Sequence, residues 1–363
     1  MGTLYNNMGE YTKAISYHKW TLKIQKTDET SNNPSLAFIY ISTGNVYLGM
    51  GKYLKALSYY ERSLDINRIA FPPNHPSWAN AYNGIGNVNK KMGNYTEALS
   101  NYKKALEIQK NVFSSSHPNS AISYSNIGNV YRNMGKYSKA LSYYEKAFNI
   151  FKAVFTWETP MLARIYGNIG VVYKMTGEYS KALSNHQQAI EIQRKTLSRN
   201  HPSLASSYNN IGNVYRAMGQ YTEALSYYEK SLEIKKIALP ENHRDLATSF
   251  DSIGYAYTCM GNCSKSLSFH KRSLEIMEKA LPLHHPDKAI TYNSIGNAYN
   301  NLGDYTSALS YCKKAIEIQE AATPPNHLDL ASSYITIGNV YRNLHEYSRA
   351  KQRRPGSCSN GKT

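Results

Sequence analysis

The stretch His201-Pro202-Ser203-Leu204-Ala205-Ser206-Ser207-Tyr208-Asn209-Asn210-Ile211-Gly212-Asn213-Val214-Tyr215-Arg216-Ala217-Met218-Gly219-Gln220 and its continuation Tyr221-Thr222-Glu223-Ala224-Leu225 decide the fold. Leu204, Tyr208, Ile211 and Tyr215 recur at steps of four, three and four, which is one apolar face of an α-helix. Pro202 suits a first helical turn, where its missing N–H costs nothing. Gly219 offers the left-handed conformation that closes a helix most cheaply. Beyond it, Thr222 is expected as a hydroxyl N-cap, and Leu225, Tyr228, Leu232 and Ile234 carry a second amphipathic helix that ends before Pro240. The segment therefore reads as a helical hairpin.

The same hairpin recurs along the chain every 42 residues. Glycine stands at Gly2, Gly44, Gly86, Gly128, Gly170, Gly212, Gly254, Gly296 and Gly338. A second glycine series runs from Gly9 through Gly51 and Gly219 to Gly303 and fails at His345. Alanine (Ala14, Ala56, Ala98, Ala140 and onward) and isoleucine (Ile24, Ile66, Ile108 and onward) keep the same step. Several in-phase series of this kind mark a repeat architecture. The expected fold is all-α: an array of about nine 42-residue units, antiparallel helical hairpins with the first lacking its opening helix and the last most of its second, over residues 1–350, followed by a basic disordered tail over 351–363. Glycine inside a helix costs about 1 kcal/mol relative to alanine, so the Gly212 series is expected to serve close helix approach, with Ala224 facing it.

Composition removes several classes of function. The 363 residues hold 42 Lys and Arg against 25 Asp and Glu, a formal charge of +17. No apolar run approaches the roughly 20 residues of a membrane span, and the start at Met1-Gly2-Thr3 carries no targeting signal. Four cysteines in this length are too few for a disulfide framework, which favours a reducing compartment and a cytoplasmic location. No nucleophile has a base at meaningful spacing and no phosphate-binding glycine loop is present, so neither an enzyme nor a cofactor is expected. His75, His117, His201, His243, His285 and His327 recur once per unit, which scatters them and points to caps or turns instead of a metal centre. Cys259 and Cys263 lack partner ligands for zinc. The tyrosines at Tyr40, Tyr82, Tyr124, Tyr166, Tyr208, Tyr292 and Tyr334 are read as packing residues. Unit seven departs from the pattern at Phe250, Asp251, Tyr255, Cys263 and Ser266 and is the expected soft junction.

Tyr208-x-x-Ile211-Gly212-x-x-Tyr215, Gly219-x-Tyr221-x-x-Ala224 and Tyr228 resemble the tetratricopeptide repeat signature. The 42-residue step, the His-Pro openings and Ala105-Leu106-Glu107-Ile108 are similar to the kinesin light chain and nephrocystin-like subclass. The resemblance covers residues 1–350 and implies a right-handed superhelical solenoid whose first helices line a concave groove. It also implies which positions face that groove: three before, one after and four after the helical glycine. One after it stand Asn45, Asn87, Asn129, Asn213, Asn297 and Asn339; four after it stand Lys90, Arg132, Lys174, Arg216 and Arg342; three before it stand Asn83, Asn209 and Asn293.

Amides that both donate and accept can hold the main chain of an extended peptide, and cations beside them attract carboxylate or phosphate. The expected function is a non-catalytic interaction scaffold whose partner is a protein or peptide segment, acidic in character. A purely structural role for each Asn, bonded to a neighbouring helix, is the competing reading. Family analogy adds a cargo-adaptor role, association with kinesin heavy chain and a cytoskeletal location, although no heptad coiled coil precedes the repeats. The alternatives are a basic solenoid that binds nucleic acid, motivated by the +17 charge, and the regulatory repeat region of a longer enzyme.

Overall fold

The computed structural model describes residues 1–8, 10–27, 34–73, 75–112, 117–154, 159–321 and 327–353, and among them there are seventeen α-helices and no strand. The chain opens with α1 (Gly2–Asn7) and α2 (Tyr11–Thr27), then α3 (Ser35–Gly49) and α4 (Tyr53–Ala70), α5 (Pro76–Lys91) and α6 (Tyr95–Val112). It continues with α7 (Pro118–Asn133) and α8 (Tyr137–Val154), α9 (Pro160–Met175) and α10 (Tyr179–Thr196), α11 (Pro202–Ala217) and α12 (Tyr221–Ala238). Then come α13 (Arg244–Cys259) and α14 (Cys263–Ala280), α15 (Pro286–Leu302) and α16 (Tyr305–Ala321), and a single long α17 (His327–Arg353). Each pair packs as a hairpin, each hairpin packs on the next, and the first helices α7, α9 and α11 also touch in turn. The result is the right-handed superhelical solenoid.

Helix starts follow one rule. The Nδ1 of His75, His117, His201, His243 and His285 accepts from the backbone N–H two residues on, at 3.1–3.2 Å. Thr159 does the same work for α9, accepting from the N–H of Leu162. The expected capping histidines are thus caps; the side chain of His327 lies outside the described residues. Each hairpin turn is equally regular: the N–H of Gly219 bonds to the Arg216 carbonyl and that of Gln220 to Tyr215, at 3.1 and 2.9 Å. These bonds close the helix on a left-handed glycine, with φ between +71° and +81° at Gly51, Gly93, Gly135, Gly177, Gly219, Gly261 and Gly303. The turn is so short that helix α12 already starts at Tyr221, and Gln220 is its N-cap. Thr222 is therefore inside the helix, two residues too late to cap it. Only where the preceding residue has a short carboxyl or amide, Asn262 or Asp304, does a side chain accept from the first turn.

The failure of the glycine series at His345 has a direct consequence: no left-handed residue interrupts the chain there, and α17 runs on for 27 residues. Residues 351–353, expected in a disordered tail, belong to this helix; residues 354–363 lie outside the described residues.

Packing inside a hairpin centres on a ring. A Cβ on Gly44, Gly86, Gly128 or Gly212 would come within 2.6–2.8 Å of the ring of Tyr60, Tyr102, Tyr144 or Tyr228. The sequence expectation of close helix approach holds, but the space is filled by an aromatic ring laid over the glycine. Ala224 contributes its carbonyl at 3.1 Å. These four tyrosines are fully buried. Hairpins are tied to one another by a second repeated bond: Gln109 accepts from Ser123, Gln319 accepts from Ser333, and Lys235 donates to Ser249. Along one edge, aromatic rings stack within the hairpin, as in Tyr131–Tyr143 and Tyr215–Tyr227 at 5.3 and 5.4 Å. Tyr40 and Tyr292 are buried as expected of packing residues, whereas Tyr334 is 50% exposed.

Unit seven is not loosely joined. Asp251 bonds His270 within its own hairpin at 2.8 Å and accepts from Thr291 of the next at 2.8 Å. Ser294 donates to the hydroxyl of Tyr255 at 3.0 Å. The residues that break the pattern replace one hydrogen-bonded tie with another.

Gly135 has open space where a side chain would go and a φ of +71°, so Gly135→Ala should cost only backbone strain, about 1–2 kcal/mol, read as a lowered urea midpoint. Gly128→Ala should cost at least as much by displacing the Tyr144 ring, and unlike Gly135→Ala it should be relieved by a smaller residue at position 144.

Candidate functional site

The site is built on the first helices, α3 to α17 in odd numbers, by the residues that flank each helical glycine. Asn87, Asn129, Asn213, Asn297 and Asn339 are half-buried and Asn45 is exposed. Lys90, Arg132, Lys174 and Arg216 are half-buried on four consecutive units, and Arg342 is exposed at the far end. The row is interrupted by Leu48 before unit three and by Thr258 and Asn300 after unit six.

The cations converge. Burial, followed by the charges of Lys91 and Arg132, pushes the Lys90 ammonium down to about 8. Lys174 is lowered by burial and then by Arg216 and Arg132, its neighbours in the row. Among the described residues no carboxylate pairs with Lys90, Arg132, Lys174 or Arg216. Like charges in a row without counter-charges raise one another's energy, and an anion laid along them would relieve it.

The asparagines are half spent. The hydroxyls of Tyr60, Tyr102, Tyr144 and Tyr228 donate to the carboxamide oxygens of Asn45, Asn87, Asn129 and Asn213 at 2.7–2.8 Å. Burial pushes the Tyr144 hydroxyl up to about 12, so it stays a donor. The structural tie that competed with the binding reading is therefore present in four units, where it occupies one lone pair of the Asn45, Asn87, Asn129 and Asn213 oxygens and leaves their –NH₂ groups as the freer half of each amide. Amide donors beside cations make a wall that suits acceptors: carbonyls, carboxylates or phosphates.

Asn83, Asn209 and Asn293 differ from that set. Their carboxamide oxygens are buried without a hydrogen-bonding partner among the described residues, and the Asn293 –NH₂ donates to Ser333 of the next unit. They sit at the seam between first helices. In unit eight Cys312 lies over Gly296, in the place of the tyrosine of units two, three, four and six.

The Asn–Tyr bond was legible in the sequence as a co-occurrence. Units with tyrosine sixteen places after the helical glycine have asparagine one place after it; those with His18, His186 or His270 have Thr3, Val171 or Tyr255 instead. His186 is fully buried over Gly170, and neither ring nitrogen has a partner among the described residues. Burial, with a smaller contribution from Lys174, holds it down at about 4.

Residues 1–69, 79–153, 161–237 and 287–353 match one family model for the tetratricopeptide repeat, and residues 246–287, the divergent unit seven, match another. The chain is a tetratricopeptide repeat protein. No curated protein matches this tetratricopeptide array in sequence. Among solved structures it is similar to a Rap protein complexed with Competence and Sporulation Factor, 16% identical over 95% of this chain and 96% of that one, with a TM-score of 0.59. It is also similar to BtubC from P. vanneervenii, 18% identical over 66% and 93%, TM-score 0.51. Repeats of a kinesin light chain from Podosopora anserina align at 23% identity over 56% and 97%, TM-score 0.44. At these identities the likeness concerns the fold.

No helix among the described residues is long and apolar enough to cross a membrane, and no group of three metal-ligating side chains occurs among them. Cys259, Cys263 and Cys312 are free thiols.

Two outcomes test the seam. Asn129→Ala leaves the buried Tyr144 hydroxyl unpaired and should cost about 1–3 kcal/mol, while adding Tyr144→Phe should recover part of that loss in a double-mutant cycle. His186 is neutral in both folded and unfolded chains above pH 6.5. Between 6.5 and about 4 only the unfolded chain takes the proton, so stability falls as pH falls, by about 3 kcal/mol. Replacing His186 with Tyr and Val171 with Asn should remove that part of the acid sensitivity in urea titrations at pH 7 and pH 4.5.

Proposed function

We propose that the concave face of this array is a groove for an extended, acidic segment of a partner protein, and that the chain is a non-catalytic interaction scaffold. The observation that carries this reading is the row Lys90, Arg132, Lys174 and Arg216, four cations on successive units, none paired with a carboxylate among the described residues, in which Arg132 helps to lower Lys90 and Arg216 and Arg132 help to lower Lys174. Asparagine –NH₂ groups flank the row and supply neutral donors to main-chain carbonyls.

Spacing defines the ligand further. The first helices α7, α9 and α11 are in contact in turn, and packed helices lie about 8–10 Å apart. An extended chain rises about 3.3 Å per residue. One cation therefore meets about every third residue, and four units read a segment of roughly ten residues with acidic groups at that interval. Arg342 and the amides of Asn297 and Asn339 extend the wall beyond unit seven, where Tyr255 stands in place of the amide one after the glycine and Asp251 in place of the amide three before it. A segment bearing carboxylates fits units three to six best.

Solved structures similar in fold hold protein or peptide partners: Rap structures hold Competence and Sporulation Factor and the Phr* peptide, and Cut9 forms a hetero-tetramer with Hcn1. A cargo-adaptor role, contact with a kinesin heavy chain and a cytoplasmic, cytoskeleton-associated location belong to the same reading by family analogy.

Arg132→Glu combined with Lys174→Glu should weaken a peptide with glutamate at every third position by roughly 10- to 100-fold, with thermal unfolding nearly unchanged, as measured by calorimetry at low salt. Unchanged affinity would remove the groove assignment. Tighter, more steeply salt-dependent binding of RNA than of the peptide by the unaltered protein would favour the nucleic-acid reading.

A further inference from the structure

The first and last parts of the array meet. Arg244, at the start of α13, donates to the carbonyl of Gly49 at the end of α3, 195 residues away, at 3.4 Å. Its other nitrogen pairs with Asp287 at 3.2 Å. Tyr11 and Met50 from the first two hairpins share one buried apolar cluster with Ala247, Met277 and Leu281 from the seventh and the loop after it.

The turn glycines supply a control built into the repeat. At Gly93, Gly135, Gly177, Gly219, Gly261 and Gly303 a side chain would meet nothing within 4 Å. At Gly51 it would meet His285 and Pro286 at 3.1 Å. The methionine before the turn behaves likewise: Met50 is 9% exposed, while Met218 and Met260 are 40% and 47% exposed. The hairpin turn of unit two thus rests on the start of units seven and eight, and the superhelix returns upon itself after five to six units. The contact is narrow, since a cleft of about 560 Å³ lined by Glu10, Lys13, Asn242 and Lys279 runs along it.

The contact runs edge to edge, between the hairpin turn of unit two and the starts of units seven and eight. We infer that this clasp makes the groove a channel: a segment with a free chain end threads into it, whereas a segment held between two folded domains enters only when the clasp opens. The inference rests on the groove reading and adds the kind of partner that the groove admits, one recognised through a terminal tail. The clasp is small and partly polar, and contacts of that kind within a chain open readily, so opening is slow relative to encounter but attainable.

The test compares three formats of one probe, a peptide with glutamate at every third position: free, fused to the end of a folded carrier, and set between two folded carriers. Stopped-flow association with the full chain should be similar for the first two and slower by about tenfold or more for the third. Arg244→Glu, which places a carboxylate against Asp287 and the Gly49 carbonyl, should bring the third format up to the others; Asp287→Lys serves if Arg244→Glu fails to fold. Equal rates for all three formats with the unaltered protein, or a slow third format that neither variant accelerates, would overturn the inference. Spin labels at Lys52→Cys and His284→Cys, in a chain with Cys259, Cys263, Cys312 and Cys358 changed to Ser, read the clasp without any ligand. A short, narrow distance that broadens in Arg244→Glu is expected, and a broad distribution in the otherwise unaltered chain would overturn the clasp. Binding of no format would instead strike the groove reading, because the label distances judge the clasp separately.

Discussion

Everything in this molecule depends on an aromatic ring seated on a glycine. In four units a tyrosine from the second helix lies flat over the backbone of the first, where any Cβ would strike it. The glycine forfeits about 1 kcal/mol of helix propensity, and the burial of a ring worth 150–250 Å² offsets that cost. The same ring carries a hydroxyl that must find an acceptor when buried, and the nearest one is the asparagine beside the glycine. One contact therefore fixes how closely the helices pack, which residue follows the glycine, and which atoms are left to face the groove.

That dependence bears on the proposed groove: in four units the tyrosine hydroxyl already occupies one lone pair of the asparagine oxygen, and the –NH₂ groups and the cation row favour the same partner groups. Units with histidine in place of tyrosine show the cost of the alternative. His186 sits with both nitrogens unpaired, while His270 is rescued by Asp251, which in turn reaches Thr291 of the following hairpin. The divergence of unit seven is a rewired bond at the place where the superhelix also meets its own beginning.

Charge and shape then act on different scales. The cation row is local, set by one side chain per unit and the spacing of packed helices. The clasp is global, because Arg244 can reach Gly49 only after five hairpins have each contributed their small rotation. A solenoid is held by neighbour contacts alone, and one contact between turns changes that: it couples unit two directly to units seven and eight.

The sequence by itself determined the period, the helical hairpin, the left-handed glycine at each turn and the histidine caps, because these are local requirements of backbone and periodicity that recur along the chain. It also determined the end of the pattern, since a chain with His345 in place of glycine has no residue to make the turn. The placement of Thr222 inside its helix depended on how tight that turn is, which spacing alone does not reveal. The tertiary structure decided what the helical glycines make room for, which half of each asparagine is occupied, and that Lys90, Arg132, Lys174 and Arg216 lie near enough to repel. It alone decided that the hairpin turn of unit two meets units seven and eight, because the accumulated twist of many units fixes which distant residues touch, and no short-range pattern in the chain encodes that sum.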